Sequence, residues 1–430
     1  MHHTFGRSIA ALGVVVLATA ACGNSSKGSS STPTSSGGTS GNSASAPGIT
    51  TNSVSIGFIS STTGIAAPEF LGYPKGAQAR FDLQNAEGGV NGRKINMVVA
   101  NDAGSITQDL TAAQELASRD SFAIIPGTPF FFGAYRYLVQ QDIPVVGSGF
   151  DGPEWGQQPN TNLFSTTDPF DAHLPQYTGL ANFVKQHGGS NLACLGYGIS
   201  PSSSSAAKGC HLSAMHEGLR SGYLNTSIPF GSVDMGSVAL GMTSAGSDSV
   251  YLAMDNNTNF AVIAAAKQAG INLKVVVAAT GYGQTLLDDP SAVSTGQGAY
   301  FVTAGAPIEL NTAATRQFKS ALAKYEGFTG IPGFDWYEGW QDADLVIRGL
   351  QAAGKNPTRQ SFIDNLHKVT GWDAGGLLPA PVDFSLAHFG KAAPQTCGWY
   401  VTLRGTRFVP VPANGKPVCG NLIPNSDVNP

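Results

Sequence analysis

Short apolar runs alternate with stretches in which apolar positions recur at helical spacing, and the alternation starts at Val54. Residues 54–59 read as a buried strand ending in the polar loop Ser60-Ser61-Thr62-Thr63-Gly64. A helix is predicted over 75–86, where Ala77 and Phe81 stand one turn apart and Gly88-Gly89 provides the stop. Residues 95–100 form the next strand, and 107–119 the next helix, with Leu110, Ala113, Leu116 and Ala117 on one face. Residues 122–125 and 144–146 continue the series. Such alternation predicts an α/β fold with a mainly parallel sheet flanked by helices on both faces.

The pattern restarts after residue 168. Helices are predicted at 180–186, 206–221 and 260–270, and strands at 191–196, 249–254 and 273–279, so a second α/β sheet follows the first. A short strand at 299–303 leads into helices at 312–325 and 337–353. Residues 382–411 are strand-like, with Trp399, Tyr400, Val401 and Leu403 together.

Ahead of this body, Arg7 precedes an apolar stretch over 9–18, then the small residues Thr19, Ala20, Ala21 and finally Cys22. This is the layout of a bacterial lipoprotein signal, with Cys22 receiving the lipid. The apolar stretch is too short to span a bilayer core, which needs about 20 residues. Thr19 stands where such signals usually place leucine, so an ordinary secretory signal cut near Ala21 is the alternative. Either way the mature chain is exported, and 1–22 is assigned to the signal. Residues 23–49 are rich in serine and glycine, and Lys27 is the only charge from Gly23 to Pro47. A segment with so few apolar side chains is expected to be a disordered tether.

Charged residues make up 12% and hydrophobic ones 42% of the chain, and the formal net charge is −4. No basic patch points to nucleic acid or an anionic membrane surface. No later apolar run reaches membrane-spanning length, and the length allows two ordinary domains. Besides Cys22 there are Cys194, Cys210, Cys397 and Cys419, an even number in an oxidising compartment. Four cysteines allow three pairings; joining Cys194 to Cys210 and Cys397 to Cys419 is the simplest. A zinc site is the rival reading, but no CxxC pair occurs and no histidine pair has ligand spacing.

The stretch over 54–102 contains Thr63-Gly64, Gly76-Ala77-Gln78, the run Gly88-Gly89-Val90-Asn91-Gly92-Arg93-Lys94, and Asp102. It resembles the amino-terminal region of extracellular solute-binding proteins of ABC transporters, of the branched-chain amino acid (leucine/isoleucine/valine) type. The resemblance extends more weakly to about Val411, through the helix around Trp340 and the ending near Gly405. It implies a two-lobe type I periplasmic-binding-protein fold with three crossover strands at a hinge and a ligand between the lobes. Mapped by pattern, the first lobe takes 50–167 and 305–378, the second 168–304 and 379–421, and 422–430 is a tail. The crossings fall near 165–168, 303–307 and 377–382. Closure about the hinge would present a surface that an ABC permease distinguishes from the open form.

Ligands of open parallel sheets lie at the loops after the carboxyl ends of the strands. In the first lobe these loops are 60–64, 127–132 and 147–151, which offer Thr63, Thr128, Phe130, Ser148, Phe150 and Asp151. In the second they are 197–200, 255–256 and 280–282, which offer Tyr197, Asp255 and Tyr282. The resemblance implies that hydroxyls and amides of the second and third loops hold an amino acid's carboxylate and amine. Thr128 and Ser148 could supply the hydroxyls, and Asp151 could meet an amine or a sugar hydroxyl. Phe130-Phe131-Phe132, however, replace the family's serine-rich segment. Aromatic faces suit ligands with apolar or cationic surface, each ring contributing on the order of 1 kcal/mol. In the competing reading these residues open a helix and at least two of the rings pack into the core.

Catalysis is not indicated. Gly281-Tyr282-Gly283 follows a strand but lacks the third glycine of a dinucleotide loop, with Leu286 in its place. No Gly-x-Ser-x-Gly elbow and no Walker-type phosphate loop occurs. His211 and His216 are five apart, which does not place two ligands on one helical face. The serine run 202–205 has no neighbouring base and reads as the opening of a helix. No metal and no cofactor is expected. The expected partners are a small-molecule ligand, an ABC permease with its ATPase subunits, and the membrane through the lipid on Cys22, with the chain a monomer. The same fold also serves sensing lipoproteins that signal to a receptor, which is the second reading.

Overall fold

The protein is described from a computed structural model covering residues 41–149, 152–167, 177–391 and 395–424. Its first sheet has five parallel strands: β1 (Ser53–Ser60), β2 (Lys94–Asn101), β3 (Ala123–Gly127), β4 (Val145–Gly147) and β5 (Leu163–Ser165), in the order β2-β1-β3-β4-β5. β1 and β3 lie inside the sheet, and β3 is buried along its whole length, as expected of parallel strands covered on both faces. Helix Ile106–Ser118 covers one face, with Ala112, Ala113 and Leu116 against Ile59, Ile124 and Val145. Across the other face lie helix Tyr73–Ala86 and a helix from much later in the chain, Phe334–Ala353. These two helices touch through glycines. A Cβ on Gly76 would stand 2.2 Å from the Trp336 carbonyl oxygen, and one on Gly339 2.0 Å from that of Tyr73, so only glycine permits the crossing.

The turn before β2 has positive φ at both Asn91 (51°) and Gly92 (79°). That is the paired left-handed geometry asparagine and glycine favour. It turns Arg93 inward, where the guanidinium is 1% exposed and donates to the carbonyls of Ser43, Thr50 and Lys355. The expected tether therefore ends earlier than residue 49. Ile49 is buried, Asn42 donates to Asn91 O, and Ser45 donates to Pro357 O. Arg93 and Asn356 supply the polar partners that the composition of 41–49 lacks.

The second sheet is formed by β6 (Asn191–Tyr197), β7 (Arg220–Ile228), β8 (Ser249–Ala253), β9 (Val275–Ala278) and β10 (Tyr300–Thr303). A small pair, β11 (Thr370–Trp372) and β12 (Val382–Asp383), intervenes before β13 (Gln395–Arg404), β14 (Arg407–Val411) and β15 (Val418–Asn421). The order is β14-β13-β10-β9-β8-β6-β7, parallel from β7 to β10, with β13 antiparallel to β10 and β15 pairing with β13. Disulfides join Cys194 to Cys210 and Cys397 to Cys419. The first ties β6 to its covering helix, and the second links β13 to β15.

Two predicted boundaries move. The helix expected over 206–221 is Pro201–His216, because Pro201 sits at its first turn and Ser200 accepts from Ser203 N at the cap. Gly218, at φ 74°, ends it, and Ser221 belongs to β7. The tail assigned to 422–430 begins inside the body, since Ile423 is 1% exposed and Leu422 bridges to Tyr177. Cys22, Phe150 and Asp151 lie outside the described residues.

Candidate functional site

A cavity of about 400 Å³ lies between the two sheets with their covering helices. Its first wall is built by the short helix Ala67–Phe70, the β3 loop at Pro129, and the start of helix Phe334–Ala353, which present Glu69, Phe70, Phe334 and Glu338. Phe334, Glu338 and Asp342 are spaced four apart, so they share one helical face. The opposite wall comes from the ends of β6, β7, β8 and β9, with Tyr197, Phe230, Asp255 and Thr280, and from the start of helix Pro201–His216, with Ser202 and Ser205. The floor, Val302 to Ala304, leaves β10 and continues into a second cavity of about 490 Å³ that also touches Glu338 and reaches Thr166, Leu378 and Trp399.

Behind the first wall sits a buried polar hub. Asp342 Oδ2 accepts from the Tyr73 hydroxyl at 2.8 Å, and its Oδ1 accepts from Thr166 at 2.9 Å and from Ser148 at 3.4 Å. Burial outweighs these donors and pushes the Asp342 carboxyl up to about 8. Glu338, one turn earlier, is held well above the carboxylate range by burial and then by Asp342; the Ser148 and Tyr73 hydroxyls oppose the shift without cancelling it. Its Oε2 is shielded from water and has no hydrogen-bond partner. In a site of this kind an unpartnered carboxyl oxygen is a group waiting for a donor.

The second wall is arranged differently. Asp255 caps helix Asn256–Gln268 by accepting from Thr258 N at 2.9 Å, and its other oxygen accepts from the Tyr197 hydroxyl. Burial, and then Asp255, raise the Tyr197 phenol, so it stays a donor. The Tyr197 ring lies 4.8 Å from that of Phe230, which in turn lies 6.2 Å from Phe130 of the first lobe. The lobes also meet at Glu69, whose carboxyl accepts from Asn256 N at 3.1 Å and from Asn256 Nδ2 at 3.2 Å. Burial, with Asp255 next, pushes Glu69 up to about 8.

Of the residues singled out from sequence, Tyr197 and Asp255 line this cavity. Ser148 belongs to the hub behind it. Thr128 is buried, donates to Asp102 and accepts from Ser61 at 3.2 Å, so its hydroxyl is used inside the first lobe. Thr63 is exposed and accepts from Asn101. Tyr282 is buried against Phe408 and donates to Glu309, away from the cavity wall. The three phenylalanines divide much as the packing alternative had it. Phe131 lies in the core on Trp155, Phe130 is buried between Phe132 and Phe230, and Phe132 is half-buried. Sequence reasoning missed Glu69, Phe230 and Glu338, and read the serine run only as a helix start. The four-residue spacing of Phe334, Glu338 and Asp342 was the available signal.

A family model described as periplasmic binding protein matches residues 53–407. No curated protein sequence matches. Among solved structures, a fatty acid ABC transporter substrate-binding protein from Thermomonospora curvata is similar over 89% of this chain and 95% of its own, at 19% identity and a TM-score of 0.70. A branched chain amino acid ABC transporter structure from Thermus thermophilus with bound valine is similar at 17% identity, with 85% and 97% covered and a TM-score of 0.70. A solute binding protein of an ABC transporter from R. palustris, in complex with benzoate, has 15% identity, 86% and 98% coverage and a TM-score of 0.68. The type I fold expected from the sequence is thus the fold observed.

Proposed function

The chain belongs to the periplasmic binding protein family, and from that premise we propose that it captures a small molecule between its lobes and delivers it to an ABC importer. The observation that carries this reading is the 400 Å³ cavity whose walls come from both lobes, with Glu69 and Phe130 on one side meeting Asn256 and Phe230 on the other. A site split between two bodies is completed only when they close, so occupancy is converted into shape. The ligand has an apolar body, because Phe70, Phe230 and Phe334 dominate the walls, and it carries polar ends, because Glu338 and the serines of helix Pro201–His216 stand ready for them. Amino acids and related compounds fit that description. In this reading the chain crosses between the lobes at the three segments named from the sequence, and the lipid on Cys22 holds the protein at the outer face of the cell membrane. No helix among the described residues is long and apolar enough to cross a membrane. Delivery is preferred to signalling because the similar structures named above are described as parts of ABC transporters.

Small-angle scattering of the full-length chain against a panel of amino acids, amides, polyols and aromatic acids tests the reading. At least one solute is expected to shrink the radius of gyration. At a hundredfold its dissociation constant it should add about 2.7 kcal/mol of stability. Stabilisation without compaction by every active solute would contradict capture between lobes.

A further inference from the structure

Resting on that reading of the cleft, we infer that its ligand carries an organic amine, and that Glu338 is the residue that selects it. The first ground is the sign of the lining. Among the described residues no lysine, arginine or histidine lines either cavity of the cleft, whereas Glu69, Asp255 and Glu338 all do. An anion would enter this water-poor space with no positive side chain to meet it, whereas an ammonium finds carboxyl groups that can ionise to pair with it.

The second ground separates Glu338 from its neighbours. Asp255 is occupied by Tyr197 and by the cap of helix Asn256–Gln268, and Glu69 by Asn256. Glu338 Oε2 is hidden from water with nothing to accept from, although the residue forms wall in both cavities. The raised pKa of Glu338 is what a buried carboxyl shows when no positive group is beside it, and an ammonium supplies that group. The third ground is the aromatic surface. Phe70, Phe230, Phe334 and Tyr197 share the cavity with Glu338, and ring faces attract a cation as well as an apolar chain. Ser202 and Ser205 are neutral and can donate or accept, so they admit a hydroxyl or carbonyl at the far end without dictating charge.

The test uses phenylbutylamine, phenylbutanol and phenylbutyrate, which share one skeleton and differ at the end group, titrated calorimetrically into the full-length chain. The amine is expected to bind about tenfold more tightly than the alcohol, and the carboxylate most weakly. Glu338→Gln should weaken the amine about tenfold while leaving the alcohol within about threefold. The ranking is read on the unmodified protein, so it decides the matter even where the variant does not fold. A carboxylate that equals or exceeds the amine, an amine indifferent to Glu338→Gln, or a trio of which none binds would each overturn the assignment. Compaction with the carboxylate would then leave solute capture standing, whereas absence of compaction with any solute of the wider panel would remove capture itself.

Discussion

The two walls of the cleft are held in place by different means. The first wall rests on buried, protonation-sensitive groups: Asp342 gathers Tyr73, Ser148 and Thr166, with Glu338 one turn away. The second wall is fixed by helix caps and a covalent tie. Ser200 and Asp255 cap helices Pro201–His216 and Asn256–Gln268, and Cys194–Cys210 fastens the first of these to β6. Both lobes have the same α/β layering, so the contrast lies in what secures the cavity walls. A wall built on carboxyl groups should respond to pH, and one built on a disulfide should respond to reduction.

The largest effect is expected in the first wall. Asp342→Ala removes the acceptor shared by three buried hydroxyls and should cost about 4 kcal/mol in denaturant unfolding. The same carboxyl fixes a pH dependence. Its pKa is near 8 in the folded chain against an ordinary value of 3.8. Over that window the folded state therefore holds the proton more tightly than the unfolded one. Stability should be greatest below about pH 4 as far as this group is concerned, fall as pH rises, and level off above about 8, by on the order of a few kcal/mol. Asp335, raised to about 7 by burial, adds the same sign. Asp342→Asn should flatten the slope, and a stability that rose between pH 5 and 8 would contradict a buried neutral hub.

The second wall should be indifferent to that titration and lose stability through its disulfide instead. Replacing Cys194 and Cys210 together by alanine is expected to cost about 3 kcal/mol, from a loop closed over a separation of 16 residues. The pH slope should stay as in the parent. A variant that lost the slope with the disulfide would show that the walls are not independent.

What could be read in the sequence follows the same division. β1 and β3 were legible because burial on both faces makes their apolar runs continuous, and the edge strand β2 because Met97, Val98, Val99 and Ala100 follow one another without a break. β7 was not legible: it is an edge strand, mostly half-exposed, and Gly222, Asn225 and Ser227 interrupt its pattern. Helix Gly236–Ala245 is made largely of small residues that give no face. In the cleft, Tyr197 and Asp255 were legible because they stand at the carboxyl ends of β6 and β8, where parallel sheets open. Glu69 and Glu338 could not be placed in the same way. They come from helices whose position against the cavity depends on packing between segments more than two hundred residues apart, as at the crossing of Gly76 and Gly339.

The smallest effect concerns the contact between the walls. Glu69 accepts two hydrogen bonds from Asn256, which favour its charged form, yet burial prevails and lifts it to about 8. Asn256 and Asp255, which surround it, belong to the opposite wall. An opened cleft returns Glu69 to water and toward 4.5, so closure is linked to proton uptake, and the closed form gains as pH falls from 8 toward 5. Because the lobes can part, the cost of charging Glu69 is limited by the free energy of opening, unlike that of Asp342. The effect on unfolding should stay within about 1 kcal/mol. Scattering should register what unfolding does not. The ligand-free full-length chain is expected to be more compact at pH 6 than at pH 9, and Glu69→Gln, permanently neutral, should keep the compact form at both. Equal radii at the two pH values for the parent would mean that Glu69 does not report on closure.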